Sequence, residues 1–326
     1  MFTKKEYLSK IVFAVVSLVT VLSLGNGFAQ APYPNKPITL IHPWVGGASD
    51  LSVREVIKEA AKELGQPINL EFKVGGAGSI AVTHVVKSAP DGYTLGITAT
   101  ANYIFNPHIN DLPYDVLTAT TDIIALYQNT YGICVKTSDP WNTYEDLIAY
   151  ARKNPGKLKF GSIGAGSTQH VTLYRIAEKE GIKWNHIPFK NEGEVISACL
   201  GGHIDMTTQT PIATQGQIDA GKMRLLMVLT DGRWPALPKA PNMLDKGYGF
   251  HGVAYISIIG PAGLPEPIRQ HLEDAFTKAV KSPAFGEVIK KYGLDPRSLP
   301  GKEYSKLWRK EYDVSGKVIR AIGLGK

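Results

Sequence analysis

Twice in this chain a short apolar strand runs straight into a glycine-rich turn and then into a helix, and few folds admit that arrangement. The first instance is Ile38-Thr39-Leu40-Ile41, then Val45-Gly46-Gly47-Ala48-Ser49-Asp50, then a helical pattern over residues 51–64. The second is Leu158-Lys159-Phe160, then Gly161-Ser162-Ile163-Gly164-Ala165-Gly166, then Ser167-Thr168-Gln169 as the cap of a helix over residues 170–180. Around the first lie a strand at 68–73, another small-residue loop, Gly75-Gly76-Ala77-Gly78-Ser79, a helix to Ser88 and a strand at 94–98. Around the second lie extended segments at 184–188, 204–208 and 225–229 and a helix at 193–200. Strands alternating with helices at this spacing predict βαβ units and a parallel sheet in each half. The chain returns through an apolar strand at 254–259 and ends in two helices, 267–281 and 302–322. Two similar α/β halves with a returning tail predict two lobes joined by two crossing segments, 30–130 plus 253–326 and 131–252, with a cleft between them. Ligands of open α/β sheets bind beyond the carboxyl ends of the strands, where both glycine-rich turns fall.

The N-terminus reads as a signal peptide. Lys4, Lys5 and Lys10 precede 14 residues, Ile11 to Leu24, interrupted only by Ser and Thr, and Gly27-Phe28-Ala29 supplies the small residues of a cleavage site. A spanning helix needs about 20 apolar residues. Cleavage is expected after Ala29, and with no Cys nearby no lipid anchor is expected, so residues 1–29 leave a free exported chain. Cleavage removes three Lys and one Glu and takes the formal charge from +7 to +5. The remaining Lys and Arg are scattered among acidic residues, without the clustered basic and aromatic runs of a nucleic-acid surface. The two Cys, Cys134 and Cys199, sit in apolar settings. Export permits a disulfide between them; buried thiols are the expected state.

The turns suggest the chemistry. A helix N-terminus offers unpaired backbone N–H groups and the positive end of the helix dipole, so it holds an anion without a charged side chain. Neither turn contains Lys or Arg. Backbone amides with the hydroxyls of Ser49, Ser162, Ser167 and Thr168 therefore suit a carboxylate. Asp50 fits either an N-cap or contact with an amino group of the ligand. Trp44 and Tyr131 fit either a pocket wall or core packing, and Lys190 fits either a second carboxylate or a solvated surface.

Catalytic patterns are missing. Gly164-Ala165-Gly166-Ser167-Thr168 lacks the Gly-Lys-Ser/Thr ending of a P-loop, and residues 45–50 lack the dinucleotide spacing. There is no Gly-x-Ser-x-Gly elbow. Ser167 and His170 share a helical turn without an evident orienting acid, and the eight His do not fall at metal-ligand spacing. No cofactor, metal or catalytic residue is expected.

A longer set of motifs carries a resemblance. Tyr33-Pro34-Asn35-Lys36-Pro37-Ile38, the 46–50 turn with Arg54, Ala89-Pro90-Asp91-Gly92-Tyr93-Thr94-Leu95, Leu112-Pro113-Tyr114-Asp115 and Asn154-Pro155-Gly156-Lys157-Leu158 resemble the tripartite tricarboxylate transporter receptors, also called the Bug family. So do Gly164-Ala165-Gly166-Ser167-Thr168-Gln169-His170, Leu200-Gly201-Gly202-His203-Ile204-Asp205, Ala220-Gly221-Lys222-Met223-Arg224, Pro235-Ala236-Leu237-Pro238 and Gly260-Pro261-Ala262-Gly263. The resemblance implies a two-lobed periplasmic binding protein fold, type II-like, that closes as a monomer on a carboxylate and delivers it to an inner-membrane carrier. It places the ligand at Gly46, Gly47, Ala48, Ser49 and Asp50 in the first turn, and at Ser162, Gly164, Ala165, Gly166, Ser167, Thr168 and Gln169 in the second. This chain departs from the family pattern at Ala48, where a third Gly is common, at Phe72, where Asn is common, and at Gln209, where Asp is frequent. An uncharged Gln209 argues against an amino-acid ligand and for a plain mono- or dicarboxylate, aromatic if Trp44 stacks on it. The other readings are a periplasmic hydrolase or transferase using the same cleft, and a sensor subunit that presents its ligand to a signalling partner.

Overall fold

The computed structural model describes residues 33–326; the expected signal peptide and the expected cleavage site after Ala29 lie outside them. Strand β1 (Ile38–His42) leads into α1 (Gly47–Leu64), which begins four residues before the apolar period at Leu51 because the turn residues themselves are wound into its first turn. Gly65 closes α1 in the left-handed conformation, the usual device for satisfying the last carbonyls. Then come β2 (Ile68–Phe72), a 3-10 turn at Gly76–Gly78, α2 (Ser79–Val86), β3 (Thr94–Ala99), a five-residue π turn (Ala101–Phe105) continued by the short α3 (Asn106–Ile109), and β4 (Thr120–Gln128). The second half contains β5 (Gly132–Lys136), α4 (Tyr144–Lys153), β6 (Lys159–Ser162), α5 (Thr168–Glu180), β7 (Asn185–Pro188) and α6 (Glu192–Leu200). It ends with β8 (Met206–Thr207), α7 (Pro211–Asp219) and β9 (Met223–Val228). The chain returns as β10 (Tyr255–Pro261), α8 (Glu266–Val280), α9 (Pro283–Tyr292), β11 (Leu299–Pro300) and α10 (Gly301–Ala321).

Besides the four-residue α3, two helices were not expected from the sequence pattern. α7 carries Gly216 and little amphipathic contrast behind Pro211, so its period is faint. α9 has ordinary signals, a Ser282 hydroxyl that accepts from the Phe285 amide and a left-handed Gly293, but it falls in the stretch between the two tail helices expected at 267–281 and 302–322. The tail therefore holds three helices.

The six-stranded first sheet runs β11-β4-β10-β3-β1-β2, and the five-stranded second runs β7-β6-β8-β5-β9. Both are mixed rather than parallel. β1 pairs in parallel with β2 and β3, but β10 is antiparallel to β3 and β4. β6 pairs in parallel with β7 and β8, but β5 is antiparallel to β8 and β9. Strands that follow a crossover helix are parallel, whereas the returning β10 enters from the opposite end. In each sheet the strand feeding the glycine-rich turn, β1 or β6, has later strands on both sides. Each is thus a topological switch point, which opens a crevice beyond its carboxyl end.

Alternation along β5 assigns the faces of the second sheet: Ile133 and Val135 join the cluster of Phe160, Leu173 and Met206, while Cys134 joins Cys199, Val195 and Trp234 on the other side. Both cysteines are buried free thiols, and burial raises the Cys199 thiol to about 12. The first sheet is covered by Trp308, Tyr304 and Ile319 of α10, with Val82 and Val85 of α2. Trp308 is fully buried and its indole donates to Asp122 at 2.8 Å. Val171, on α5 of the second half, packs in this first-sheet cluster, and Arg175 of the same helix pairs with Glu311 of α10 at 2.9 Å. Helix α5 therefore carries the glycine-rich turn ahead of it against the first lobe.

Candidate functional site

A cavity of about 400 Å³ lies between the two sheets. From the second corner it is lined by Ile163, Ala165, Gly166, Ser167, Thr168 and Gln169. From the first lobe it is lined by Trp44, Ala77, Ala101, Asn102, Asn106, Ile109 and Asn110, with Tyr131 at the crossing segment. None of these side chains is charged. The size suits a small organic molecule.

The second corner is built to present donors. Ser167 is the N-cap of α5 and its hydroxyl accepts from the His170 amide, which leaves the Thr168 and Gln169 amides in the first turn without helical partners. Gly166 sits at φ +74°, and a Cβ there would lie 2.7 Å from Ile109 Cδ1 across the cleft. Its amide donates to His170 Nδ1 at 3.2 Å, so that amide is not available to a ligand. Ser162 is fully buried beneath the turn, within hydrogen-bond distance of His186 Nε2 (2.8 Å), Ser167 Oγ (3.1 Å) and Gly164 O (3.2 Å). The His170 and His186 rings stack at 3.8 Å. Burial lowers the His170 imidazole to about 4, and burial together with the neighbouring His170 lowers His186 to about 4. The stack is neutral at pH 7. It braces the turn without lending it charge.

The first corner differs. Gly46 is the N-cap of α1, with no side-chain cap. Asp50, in the first turn rather than at the N-cap, accepts from the Gly46 amide at 2.9 Å and from Arg54 at 2.7 Å, so its carboxylate is engaged within its own helix start. Ser49 Oγ lies 3.3 Å from Nε2 of the fully buried His42, whose Nδ1 accepts from the Trp44 amide. Desolvation lowers the His42 pKa against the pull of Asp50. Ala48 lines a different cavity, of about 440 Å³, with Asn129, Glu192, Thr210 and Tyr292. Of the first-turn candidates only Trp44 reaches the cleft cavity. Gly46 and Gly47 supply backbone at the head of α1. Gln209 is fully buried under the second corner, its Nε2 3.5 Å from Gly161 O and its Oε1 without a partner. Gly164, at φ +90°, shapes the second turn without lining the cavity. Lys190 is exposed.

Sequence reasoning missed the first lobe's main contribution. Ala77 lies in a run, residues 75–78, with four positive φ values, and it is the only non-glycine among them, at φ 51°. Such backbone is strained and collects at functional sites. Asn102, 2% exposed, has an Nδ2 with no partner; Gln169 of the opposite lobe, 1% exposed, has an Nε2 with none. A buried donor left unpaired costs about 1–3 kcal/mol; the two residues line the cavity from opposite walls, while the two nitrogens themselves are enclosed by protein. The Gly75-Gly76-Ala77-Gly78 string was the available signal.

Two α/β lobes with switch-point turns on either side of an uncharged, donor-rich cleft make this a two-lobed periplasmic binding protein architecture. The tripartite tricarboxylate transporter family receptor pattern matches residues 52–324, and the chain belongs to that family. It is 31% identical over 325 residues to the UPF0065 protein in gbd 5'region of Cupriavidus necator, covering 99% of each. Among solved structures it is similar to a TctC solute binding protein from Polaromonas, with a TM-score of 0.81 and 25% identity over 89% of this chain and 99% of that one. It is also similar to R. palustris Rpa4515 solved with adipate, with a TM-score of 0.73 and 25% identity over 90% of this chain and 99% of that one. No helix among the described residues is long and apolar enough to cross a membrane.

Proposed function

We propose that this protein is a non-catalytic periplasmic receptor that captures a small organic carboxylate in the cleft cavity and delivers it to an inner-membrane carrier. One observation carries the reading: the cavity is lined by no charged side chain, yet the N-terminus of α5, at Ser167, Thr168 and Gln169, lies on it. Fixed amide donors at a helix start suit an anion, and a carboxylate most simply. The adipate bound by R. palustris Rpa4515 is consistent with that class. The site residues of this reading are Trp44, Ala165, Gly166, Ser167, Thr168 and Gln169, with Ala77 and Asn102 added. An enzyme reading finds little support: the Ser162–His186 contact resembles a nucleophile and its base, but Ser162 is fully buried and the His186 ring is stacked on His170.

Thermal shift against a carboxylate panel, each acid beside its neutral amide, tests the reading. A matching acid at 100 times its Kd stabilises the protein by about 2.7 kcal/mol, and its amide leaves the melting temperature unchanged. Equal shifts from acid and amide would falsify the anion site, and turnover of either compound would favour an enzyme.

A further inference from the structure

Helix α5 faces two ways. Leu173, Ile176 and Ala177 pack in the core of the second lobe, whereas Val171 and Tyr174, on the opposite face, join the first-lobe cluster together with Leu307 and Tyr312 of α10. Arg175 stands on that second face, and its guanidinium donates to Glu311 of α10 at 2.9 Å. Both side chains are mostly enclosed, at 13% and 16% exposure, so water screens the pair less than it screens one on an open surface. The Arg175 guanidinium also lies 4.2 Å from the centre of the Phe250 ring, which packs against the second-lobe core. Arg175 is therefore held in place by its own lobe, while the carboxylate it meets belongs to the other. Neither residue lines the cleft cavity, and Arg175 lies about two turns along α5 from Thr168, roughly 10 Å away.

We infer that Arg175 and Glu311 form a latch between the lobes: as positioning residues they hold α5, and with it the turn at its N-terminus, against the first lobe, without touching the ligand. The inference rests on the reading of the cavity as the capture site and adds the element that keeps its two walls together. Both lobes wall the cavity, so its shape depends on how α5 lies against α10. When the lobes part, Arg175 keeps Phe250 and loses Glu311, so the pair stabilises only the conformation in which the lobes meet. A ligand that binds that conformation gains apparent affinity in proportion to its population. The latch therefore tunes capture from outside the site.

Charge reversal tests the latch, read by small-angle scattering of the ligand-free protein and by calorimetry with adipate. Arg175→Glu and Glu311→Lys each set like charges across the lobes, and each is expected to enlarge the radius of gyration and to weaken adipate binding about tenfold. The two reversals together restore an opposite pair. They are expected to recover most of the compaction and to return the affinity to within about threefold of the wild type. Glu311→Gln, isosteric and uncharged, acts in the same direction by a smaller amount and keeps the test readable if a charge reversal does not fold; melting reports folding for each variant. An ion pair with a structural role alone would lower the melting temperature and leave compaction and affinity unchanged. Folded single variants as compact as the wild type overturn the inference, as does a double reversal no better than the sum of its singles. If adipate fails to bind the wild type, the scattering still decides the latch, and the failure counts against the carboxylate reading instead.

Discussion

The two strand-to-helix corners look like copies in the sequence and are built to different ends. At the second, the N-cap Ser167 and its neighbours Thr168 and Gln169 line the cavity, and the buried Ser162 with the half-buried His170 and His186 support them from below. At the first, Asp50 and Ser49 are engaged by Gly46, Arg54 and His42, and only Trp44 reaches the cavity. The first lobe instead presents the 75–78 turn and Asn102. A glycine-rich turn at a switch point thus provides a place for a ligand. Which face its side chains take depends on what caps the helix: a serine N-cap at α5, and at α1 a glycine N-cap whose amide is held by a carboxylate one turn later.

The sharpest way to break this comparison is a matched pair of glycine substitutions. Gly166→Val adds a side chain at φ +74° whose Cβ falls 2.7 Å from Ile109 across the cleft. Ligand affinity is expected to fall by roughly a hundredfold or more, about 2.7 kcal/mol. Gly46→Ala, at φ +75° with no heavy atom within 4 Å of its Cβ, strains only the local backbone. It is expected to cost about 1–3 kcal/mol of stability with little change in affinity. Calorimetry and melting of both variants decide the matter, and equal affinity losses would restore the equivalence of the two corners.

Next in size is Ser167→Ala. It removes the N-cap acceptor, at about 0.5–2 kcal/mol of stability, and a hydroxyl on the cavity, at about tenfold to a hundredfold in affinity. An unchanged Kd would take Ser167 out of the site and leave it a helix cap alone.

Both lobes and both switch-point strands could be read from apolar runs and glycine punctuation, because those patterns reflect the backbone directly. Mixed pairing could not, since the direction in which β10 enters the sheet is set by a crossing segment with no local signature. The second corner was legible because Ser167 signals its own role as a cap. Asn102 was not: its place depends on Gly78 and Ala99, neighbours brought to it by the π turn and by β3. The inward turn of Ser49 was equally hidden, since it depends on His42 at the end of β1.

The His170–His186 stack offers a subtler test, because it supports the second corner alone. An unfolded chain binds protons on these rings near pH 6.5, whereas the folded protein holds both near 4. Between those values the unfolded state carries more protons, so stability falls as pH falls from about 6.5 toward 4. His186→Phe is expected to flatten part of that slope in a melting series while keeping the contact with Phe160. Ring-proton NMR at pH 5.5 is expected to show both rings neutral, and protonated rings at that pH would remove the stack as the source of the effect.

The smallest expected effect on binding is that of Ser49→Ala, and it separates the corners most cleanly. His42 Nδ1 accepts from the Trp44 amide, so a neutral ring carries its proton on Nε2 and donates it to Ser49 Oγ, 3.3 Å away. Removing the hydroxyl leaves a donor unpaired on a fully buried ring, which costs about 1–3 kcal/mol of stability. The ligand is not a party to that bond, so its affinity should change by less than about threefold, under about 0.7 kcal/mol. The variant should melt lower in both the free and the ligand-bound state by similar amounts. Ser167→Ala should widen the gap between those two states' responses. A Kd loss for Ser49→Ala as large as that for Ser167→Ala would mean that the first corner grips the ligand directly and that α1 shifts to expose Ser49 when the lobes close.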